Sequence, residues 1–471
     1  MRETGLYRND EESVLKSKRV THTAKALVML WNIGLFAFIW CAYYNRNAFQ
    51  TYYVLGGIIS IIIYIFIYNG LCNLYNAFRI ASSSIAEMVI SQAISFSIAD
   101  LILYVEGNLI RNRYTSFIPG LIIVILQTLG TALIITMSKR VFMSCVQPQK
   151  TLLLIGSWVS KDEADRFKER ILKKYNHLFD FKYVEYETIT QAVFEEKLSE
   201  CCAVIMYGLS VEYRRVYMQQ CIDERKIFYF TPRIEDIILQ GCSTRHLLDT
   251  PLMKYDYVYE DKKKLNSKRI FDIVFGIFFA IFFAPAMLII SLAIKIEDGG
   301  PVFFRQKRCT KDGEVFDIIK FRSMVVNAEK KGIQPTINSD PRITKVGNII
   351  RKYRLDELPQ VFNILAGDMT FVGPRPERVE HVELYTKELP EFKYRMKVKA
   401  GLTGYAQIFG KYNTSAFDKL RLDLLYIENQ SLGLDIRIIL LTLKVMFRGE
   451  STEGFEKEMV HLMNKRSQKV G

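Results

Sequence analysis

Hydrophobic and polar positions divide the chain into regions of different texture. Apolar runs at about 24–43, 52–68, 85–105 and 117–137 fill the first third. Each approaches the roughly 20 residues that a membrane-spanning helix needs, which predicts a four-helix transmembrane region over 1–146. The basic leader "LKSKRVTHTAK" is followed by no small-residue cleavage site and reads as the flank of a retained anchor. "SKRVFMSCVQPQK", after the fourth run, is also basic, so both ends of the bundle are expected on the cytoplasmic side. Arg111 and Arg113 then fall in an external loop, against that trend. Asp100, near the end of the third run, is an acid at membrane depth and reads as facing a neighbouring helix or the interface.

From Thr151 the β-rich runs "TLLLIGSW", "DFKYVEYE", "CCAVIMYGL" and "IFYFTPR" alternate with polar helical stretches. That alternation predicts a small Rossmann-like α/β domain with a parallel sheet over 147–258. Its first turn is "GSW" where a dinucleotide fingerprint needs GxGxxG. The domain therefore reads as degenerate, structural or regulatory.

A fifth apolar run, 273–294, poses a topological problem. "KKKLNSKR" before it and "FRQKR", "IKFR" and "RKYR" after it are all basic. Both flanks belong on the cytoplasmic side, and a single crossing satisfies only one. Ala284-Pro285 stand in the middle, where proline removes one helical N–H and clashes with the preceding turn. A helix–break–helix over about 270–296 that enters one leaflet and returns keeps both flanks inside; a kinked fifth span is the alternative. The fold class is then a multidomain membrane protein. It has an α-helical transmembrane bundle, a small Rossmann-like α/β domain, and a mostly α (α+β) catalytic domain over 259–471 with a re-entrant membrane helix. Further on, "GLDIRIILLTLKVMF" carries Arg437 and Lys444 inside an apolar pattern and reads as an interfacial or a core helix.

The net charge of +14 suits an anionic surface or anionic substrates, and positive-inside topology uses many of the same cations. No basic, aromatic-interleaved motif points to nucleic acid. The eight cysteines show no CxxC and no metal-ligand spacing with the histidines, so reduced thiols are expected.

Chemistry concentrates in "DPRITKVGNIIRKYRLDELPQVFNILAGDMTFVGPRPE", Asp340 to Glu377. Val346, Ile349, Ile350 and Tyr353 share one helical face, and Leu358, Val361, Phe362 and Leu365 another. Leu358-Pro359 interrupts the pattern, because a residue before proline is pushed from the α region. Asp356 and Glu357 therefore sit at a break. Adjacent helical residues point apart, so one carboxylate can face a reacting centre while the other orients it or holds a metal. Arg351 and Arg354 precede the pair, Arg375 follows in "GPRP", and "DIIKFRSM" supplies Lys320 and Arg322. Such a frame suits a phosphoryl centre: cations steady its oxygens, and a carboxylate binds Mg2+ or attacks phosphorus. A helix cap with surface ion pairs is the structural alternative.

With these residues in view, the chain from about Lys268 onward resembles the bacterial sugar transferases, the monotopic polyprenol-phosphate phosphoglycosyltransferases. "KRIFD", "GGPVFFRQKR", "FDIIKFRSM", "DPRITKVG", "LDELPQ", "VGPRP" and "GLTGYAQIFG" carry the resemblance in order. Four spans and a Rossmann-like domain before that part resemble the long members that initiate exopolysaccharide, capsule or O-antigen synthesis. The resemblance implies transfer of a sugar 1-phosphate from a UDP-sugar to undecaprenyl phosphate, giving undecaprenyl-diphospho-sugar and UMP. It implies a nucleophilic Asp356 that forms a phosphosugar–aspartate intermediate, an assisting Glu357, and required Mg2+ with Asp356 as a candidate ligand. Lys320, Arg351 and Arg375 match phosphate-binding positions, with Arg322 beside them. Thr403, Gly404 and Gln407 lie in a loop, 401–410, associated with nucleotide binding. Lys268 and Arg269 would anchor the segment at the membrane interface, and Ala284 and Pro285 would form the re-entrant break. The implied setting is the bacterial inner membrane, with the catalytic domain at the cytoplasmic face in contact with lipid. A homodimer is compatible with such basic and apolar surfaces.

The chain departs from the family pattern at Ala284, where Ser is frequent, at Ala400 and Tyr405, where Pro and Trp are frequent, and at Lys411, where Arg is frequent. Lysine lacks the bidentate fork of arginine. The rival readings are a lipid-linked glycosyltransferase releasing UDP and a non-catalytic regulator of envelope assembly. No residue separates glucose from galactose or an N-acetylated sugar.

Overall fold

Residues 11–44, 54–111, 114–255, 262–326, 328, 340–410 and 414–446 are described by the structure, a computed structural model; Arg113 and Lys411 lie outside them. The chain divides into two compact units, Met1–Thr231 and Pro232–Gly471.

In the first unit the long apolar runs form α1 (Glu11–Ile39), α2 (Val54–Leu74), α3 (Ile85–Arg111) and α4 (Ile118–Cys145). All four are long and apolar enough to cross a membrane. Leu30, Phe38, Phe66, Leu129 and Leu133 point outward and are more than half exposed, as side chains facing lipid are. The inner faces hold an aromatic core of Phe36, Trp40, Tyr64, Tyr68 and Phe96. A polar seam crosses all four helices. Asn32 Nδ2 donates to the Tyr68 hydroxyl (2.9 Å) and to Thr131 Oγ1 (3.0 Å), and the Tyr68 hydroxyl donates to Gln92 Oε1 (2.6 Å). Lipid is as apolar as leucine, so such bonds and close packing set which helices associate. Asp100 buries both carboxylate oxygens beside Tyr64 and Gln127; it faces the helices.

The sheet of this unit has β1 (Gln149–Ile155), β2 (Phe179–Tyr186), β3 (Ala203–Tyr207) and β4 (Ile227–Phe230), all parallel, in the order β2-β1-β3-β4. Helices α5 (Lys161–Tyr175), α6 (Gln191–Glu200) and α7 (Val211–Asp223) connect them. Strands covered on both faces need continuous apolar sequence, which "LLLI" and "AVIM" supply. The strand order reverses between β1 and β3, the place where open α/β sheets take their ligands. Here Glu187 fills it. Its carboxylate accepts from the Ser157 amide (2.9 Å), the Ser157 hydroxyl (2.6 Å) and the Ser210 amide (2.8 Å). Gly156 meets Gly208 so closely that a Cβ would strike the Gly208 carbonyl, and Gly208 itself adopts φ +68°. The amides that a phosphate would use are taken by the chain's own carboxylate.

The second unit begins with α8 (Ile234–Gln240) and the hairpin β5 (Ser243–Leu247)–β6 (Thr250–Lys254). Alternation in the sequence assigns these to the α/β domain, up to 258. Ile234 and Ile237 instead pack with Phe392, Leu420 and Leu424, a patch that exists only once distant segments meet. Next comes α9 (Lys262–Asp298), which stays helical through Pro285. The interruption expected at Ala284-Pro285 is not seen. Proline deletes a single backbone hydrogen bond, and apolar turns on both sides carry the helix past it.

The unit continues with the antiparallel pair β7 (Phe303–Cys309) and β8 (Val315–Phe321), then α10 (Lys345–Lys352), α11 (Gln360–Ala366) and β9 (Thr370–Val372). After α12 (Val379–Glu388), β10 (Gly401–Thr403) pairs parallel with β9, and α13 (Tyr405–Phe409), α14 (Ala416–Glu428) and α15 (Leu432–Met446) close the fold. Val361, Ile364, Phe371, Tyr426 and Ile438 share one core. Helix α15 turns Ile438 and Leu441 inward and leaves Ile436 and Leu443 exposed, so it is a core helix with an apolar outer face.

The unit holds α9 at both ends. Lys268 Nζ donates to the Val372 carbonyl (2.9 Å) and pairs with Asp435 (2.6 Å), while Arg269 donates to the carbonyls of Ile364 (2.6 Å) and Leu365 (2.8 Å). Asp272 accepts from Thr370 Oγ1 (2.7 Å) and the Phe371 amide (3.1 Å). At the far end Ile290 and Ile294 pack with Phe321, Ile350 and Leu358, Glu297 accepts from the Lys345 amide (2.7 Å), and Asp298 pairs with Arg322. Lys268 and Arg269, expected as anchors at the membrane interface, make these contacts within the domain, to carbonyls at the end of a helix and to the buried Asp435.

Candidate active site

The chain turns sharply between α10 and α11. Arg354 takes a left-handed conformation (φ 54°, ψ 23°) and leads into a single 3-10 turn, Leu355–Glu357. The sequence attributes this break to Leu358-Pro359, yet Leu358 keeps helical angles (φ −52°, ψ −40°), and Arg354 makes the turn. A non-glycine residue at positive φ is strained and persists because its surroundings hold it. Leu355 and Leu358 supply that hold by inserting among Ile290, Phe321 and Ile350. The two acids between them are presented by an anchored turn.

The neighbouring carboxylates have different surroundings. Glu357 Oε1 accepts from Arg375 (2.7 Å) and Lys320 (3.3 Å), and Oε2 lies 3.5 Å from the second Arg375 nitrogen. No hydrogen bond or ion pair among the described residues engages the half-buried Asp356 carboxylate. Burial, then the negative charge of Glu357, pushes the Asp356 pKa up, against Lys320, Arg351 and Arg375. Burial acts on Glu357 in the same sense, but Arg375 and Lys320 outweigh it and hold that carboxyl well below its usual range. Burial lowers the Lys320 pKa, and the charge of Glu357 raises that of Arg375. One acid is clamped and ionised; the other is open and more basic.

Behind Arg375 lies a ring of charges that the sequence reading missed. Arg395 bonds Asp423 (2.8 Å) and Glu377 (3.5 Å), and Lys419 bonds Glu377 (2.8 Å). Glu377 belongs to the quoted motif stretch, but Arg395, Lys419 and Asp423 have no local signal; they meet it through tertiary contact.

The structure therefore joins Lys320, Glu357 and Arg375 directly, with Asp356, Arg351 and Arg354 at the same turn. It does not bring Arg322 to the carboxylates, since that guanidinium clasps Asp298 at the end of α9. Thr403 shares a hydrogen bond with Thr442 (2.7 Å), and Gln407 Nε2 donates to the Leu402 carbonyl (3.0 Å) while its Oε1 is buried without a partner among the described residues. A Cβ on Gly404 would collide with the Gly373 carbonyl, so this loop packs directly on "GPRP". Among the described residues no three His, Cys, Asp or Glu side chains gather as a cation cage. Magnesium commonly uses one or two carboxylates plus substrate phosphates, and Asp356 is the acid of the pair with lone pairs to offer.

Residues 263–449 match the family described as "Bacterial sugar transferase". The "Uncharacterized sugar transferase EpsL" of Bacillus subtilis (strain 168) is 37% identical over 186 residues, covering 40% of this chain and 90% of that protein. The chain belongs to the bacterial sugar transferase family. Within the family it is 43% identical over 185 residues to the "UDP-N-acetylgalactosamine-undecaprenyl-phosphate N-acetylgalactosaminephosphotransferase" of Aeromonas hydrophila, covering 39% of this chain and 44% of that one. It is 39% identical over 222 residues to the "UDP-glucose:undecaprenyl-phosphate glucose-1-phosphate transferase" of Escherichia coli (strain K12), covering 46% and 45%. The chain thus spans less than half the length of these two relatives. The matched family region lies in the second unit.

Proposed function

We propose that this sugar transferase moves a sugar 1-phosphate from a UDP-sugar to undecaprenyl phosphate through a covalent bond to Asp356. A carboxylate oxygen of Asp356 attacks the β-phosphorus, the bond from that phosphorus to the bridging oxygen breaks, and UMP leaves with that oxygen. A phosphate oxygen of the lipid then attacks the same phosphorus and releases Asp356 as undecaprenyl-diphospho-sugar forms. The observation that carries the reading is the contrast within the acid pair. Glu357 has its oxygens engaged by Lys320 and Arg375 and is a poor nucleophile; Asp356 has free lone pairs and a raised pKa. Glu357 orients the two cations, which with Arg351 stabilise negative oxygens on the phosphorus. When bound, Mg2+ held by Asp356 and the diphosphate oxygens would withdraw charge from the leaving UMP.

The family relatives named for undecaprenyl-phosphate substrates support the acceptor and donor classes. A position at the cytoplasmic face of the inner membrane, with both ends of α9 on that side, is supported by the basic flanks and by the attachment of both α9 ends to one unit. The test uses purified full-length protein with a panel of UDP-sugars and undecaprenyl phosphate. Release of UMP, labelling of the protein by UDP-[14C]sugar, and loss of both in Asp356→Asn are expected. Release of UDP instead, or substantial turnover by Asp356→Asn, rejects the mechanism.

A further inference from the structure

We propose that Arg308 and Arg395 are positioning residues that aim Arg375 at the phosphate site by fixing the carbonyls of Arg375 and Pro376. The inference rests on the reading of Arg375 and Glu357 as the phosphate frame.

The segment Gly373–Glu377 has two prolines and so lacks two of its own N–H donors; its course depends on what binds its carbonyls. Four consecutive carbonyls are bound. Pro374 accepts from the Gly401 amide (2.9 Å), Arg375 from Arg395 (2.9 Å), Pro376 from Arg308 (3.1 Å) and Glu377 from the Cys309 amide (3.1 Å). The outer two donors are backbone amides that any residue supplies. The inner two are side chains, and they hold the two carbonyls that directly follow the Arg375 Cα, from which its side chain leaves for Glu357. A shift of either carbonyl rotates that side chain away from its partner.

The two arginines differ in how their charge is balanced. Arg395 is 3% exposed and neutralised by Asp423 and Glu377, so its contribution is geometric. Among the described residues Arg308 bonds Gln306 Oε1 (2.6 Å), has no ion pair, and buries an Nε without a partner. Burial, then the charge of Arg375, lowers its pKa to about 10, so it remains a cation at neutral pH. A desolvated cation without its own carboxylate is costly. That cost is offset where an anion docks nearby, and Arg308 therefore adds positive potential behind the frame as well as holding the loop.

The experiment is a double-mutant cycle in the full-length protein with Arg308→Gln and Arg375→Lys, read in UMP release and in the Kd for UDP. If Arg308 acts through Arg375, Arg308→Gln alone lowers kcat about 30-fold with a small change in KM. Added to Arg375→Lys it then costs less than about twofold more. A purely structural residue costs the same factor in both backgrounds, and that result, or a single variant within twofold of wild type, overturns the proposal. Should Arg308→Gln not fold, Arg308→Lys takes its place, since it keeps the charge and loses the fork. A wild type that binds UDP but releases no UMP defeats the functional reading alone, and the cycle in Kd still tests the positioning. A wild type that does neither overturns both.

Discussion

A carboxylate attacks well when its lone pairs are unspent, and Asp356 and Glu357 show how one residue step along a turn changes that. Glu357 is ionised because Arg375 and Lys320 hold its charge; Asp356 is raised because it is buried beside that charge. Replacing Glu357 by Gln removes the negative neighbour and frees two cations to act on Asp356. Both changes favour ionised Asp356. The acid limb of the kcat–pH profile should therefore move to lower pH, while the rate falls about 100-fold as Arg375 and Lys320 lose their anchor. An acid limb that stays or moves upward contradicts the electrostatic assignment. Lys320, Arg351, Asp356, Glu357 and Arg375 were legible in the sequence because short ordered motifs carry them. Which carboxylate the two cations would hold was not, since that depends on which oxygens Lys320 and Arg375 reach from other elements.

At the scale of elements, Glu187 explains why a Rossmann-like sheet need not bind a nucleotide. Burial alone would raise its pKa, but hydrogen bonds from Ser157 and Ser210 outweigh that and lower it. A carboxyl depressed on folding adds stability above its unfolded pKa and loses it as pH falls through the folded value. Glu187→Gln should lower stability by about 2 kcal/mol at neutral pH, seen as a lower thermal midpoint of the full chain. That gap should close as the pH falls below the usual carboxylate range. A gap that is unchanged on acidification contradicts the role of the charge. The sheet itself was readable from alternating strand and helix patterns, whereas the Glu187 contacts were not, because they join residues 30 and 23 positions apart. Helix α9 shows the converse. Its proline suggested a break, and apolar turns on both sides kept it helical.

For the whole molecule, the decisive element is again α9. From Lys268 to Asp298 it rises about 45 Å, more than the roughly 30 Å hydrocarbon core, yet both ends are bound to the same unit. A straight crossing would drag part of that unit into the bilayer. With both ends on one side, a cysteine introduced at Glu314, in a variant stripped of native cysteines, should resist a membrane-impermeant thiol reagent in intact cells. It should react after permeabilisation. Labelling in intact cells would put the second unit outside and contradict the cytoplasmic placement.

The sequence by itself determined the apolar helices, the parallel α/β alternation and the family motifs, because hydrophobic period and residue order are local properties of a chain. It did not determine where Pro285 would leave its helix, which unit would claim α8, or where Lys268, Arg269 and Arg322 would find partners. Those outcomes depend on competition between distant groups for the same carbonyls, carboxylates and apolar patches, and only the folded chain brings the competitors together.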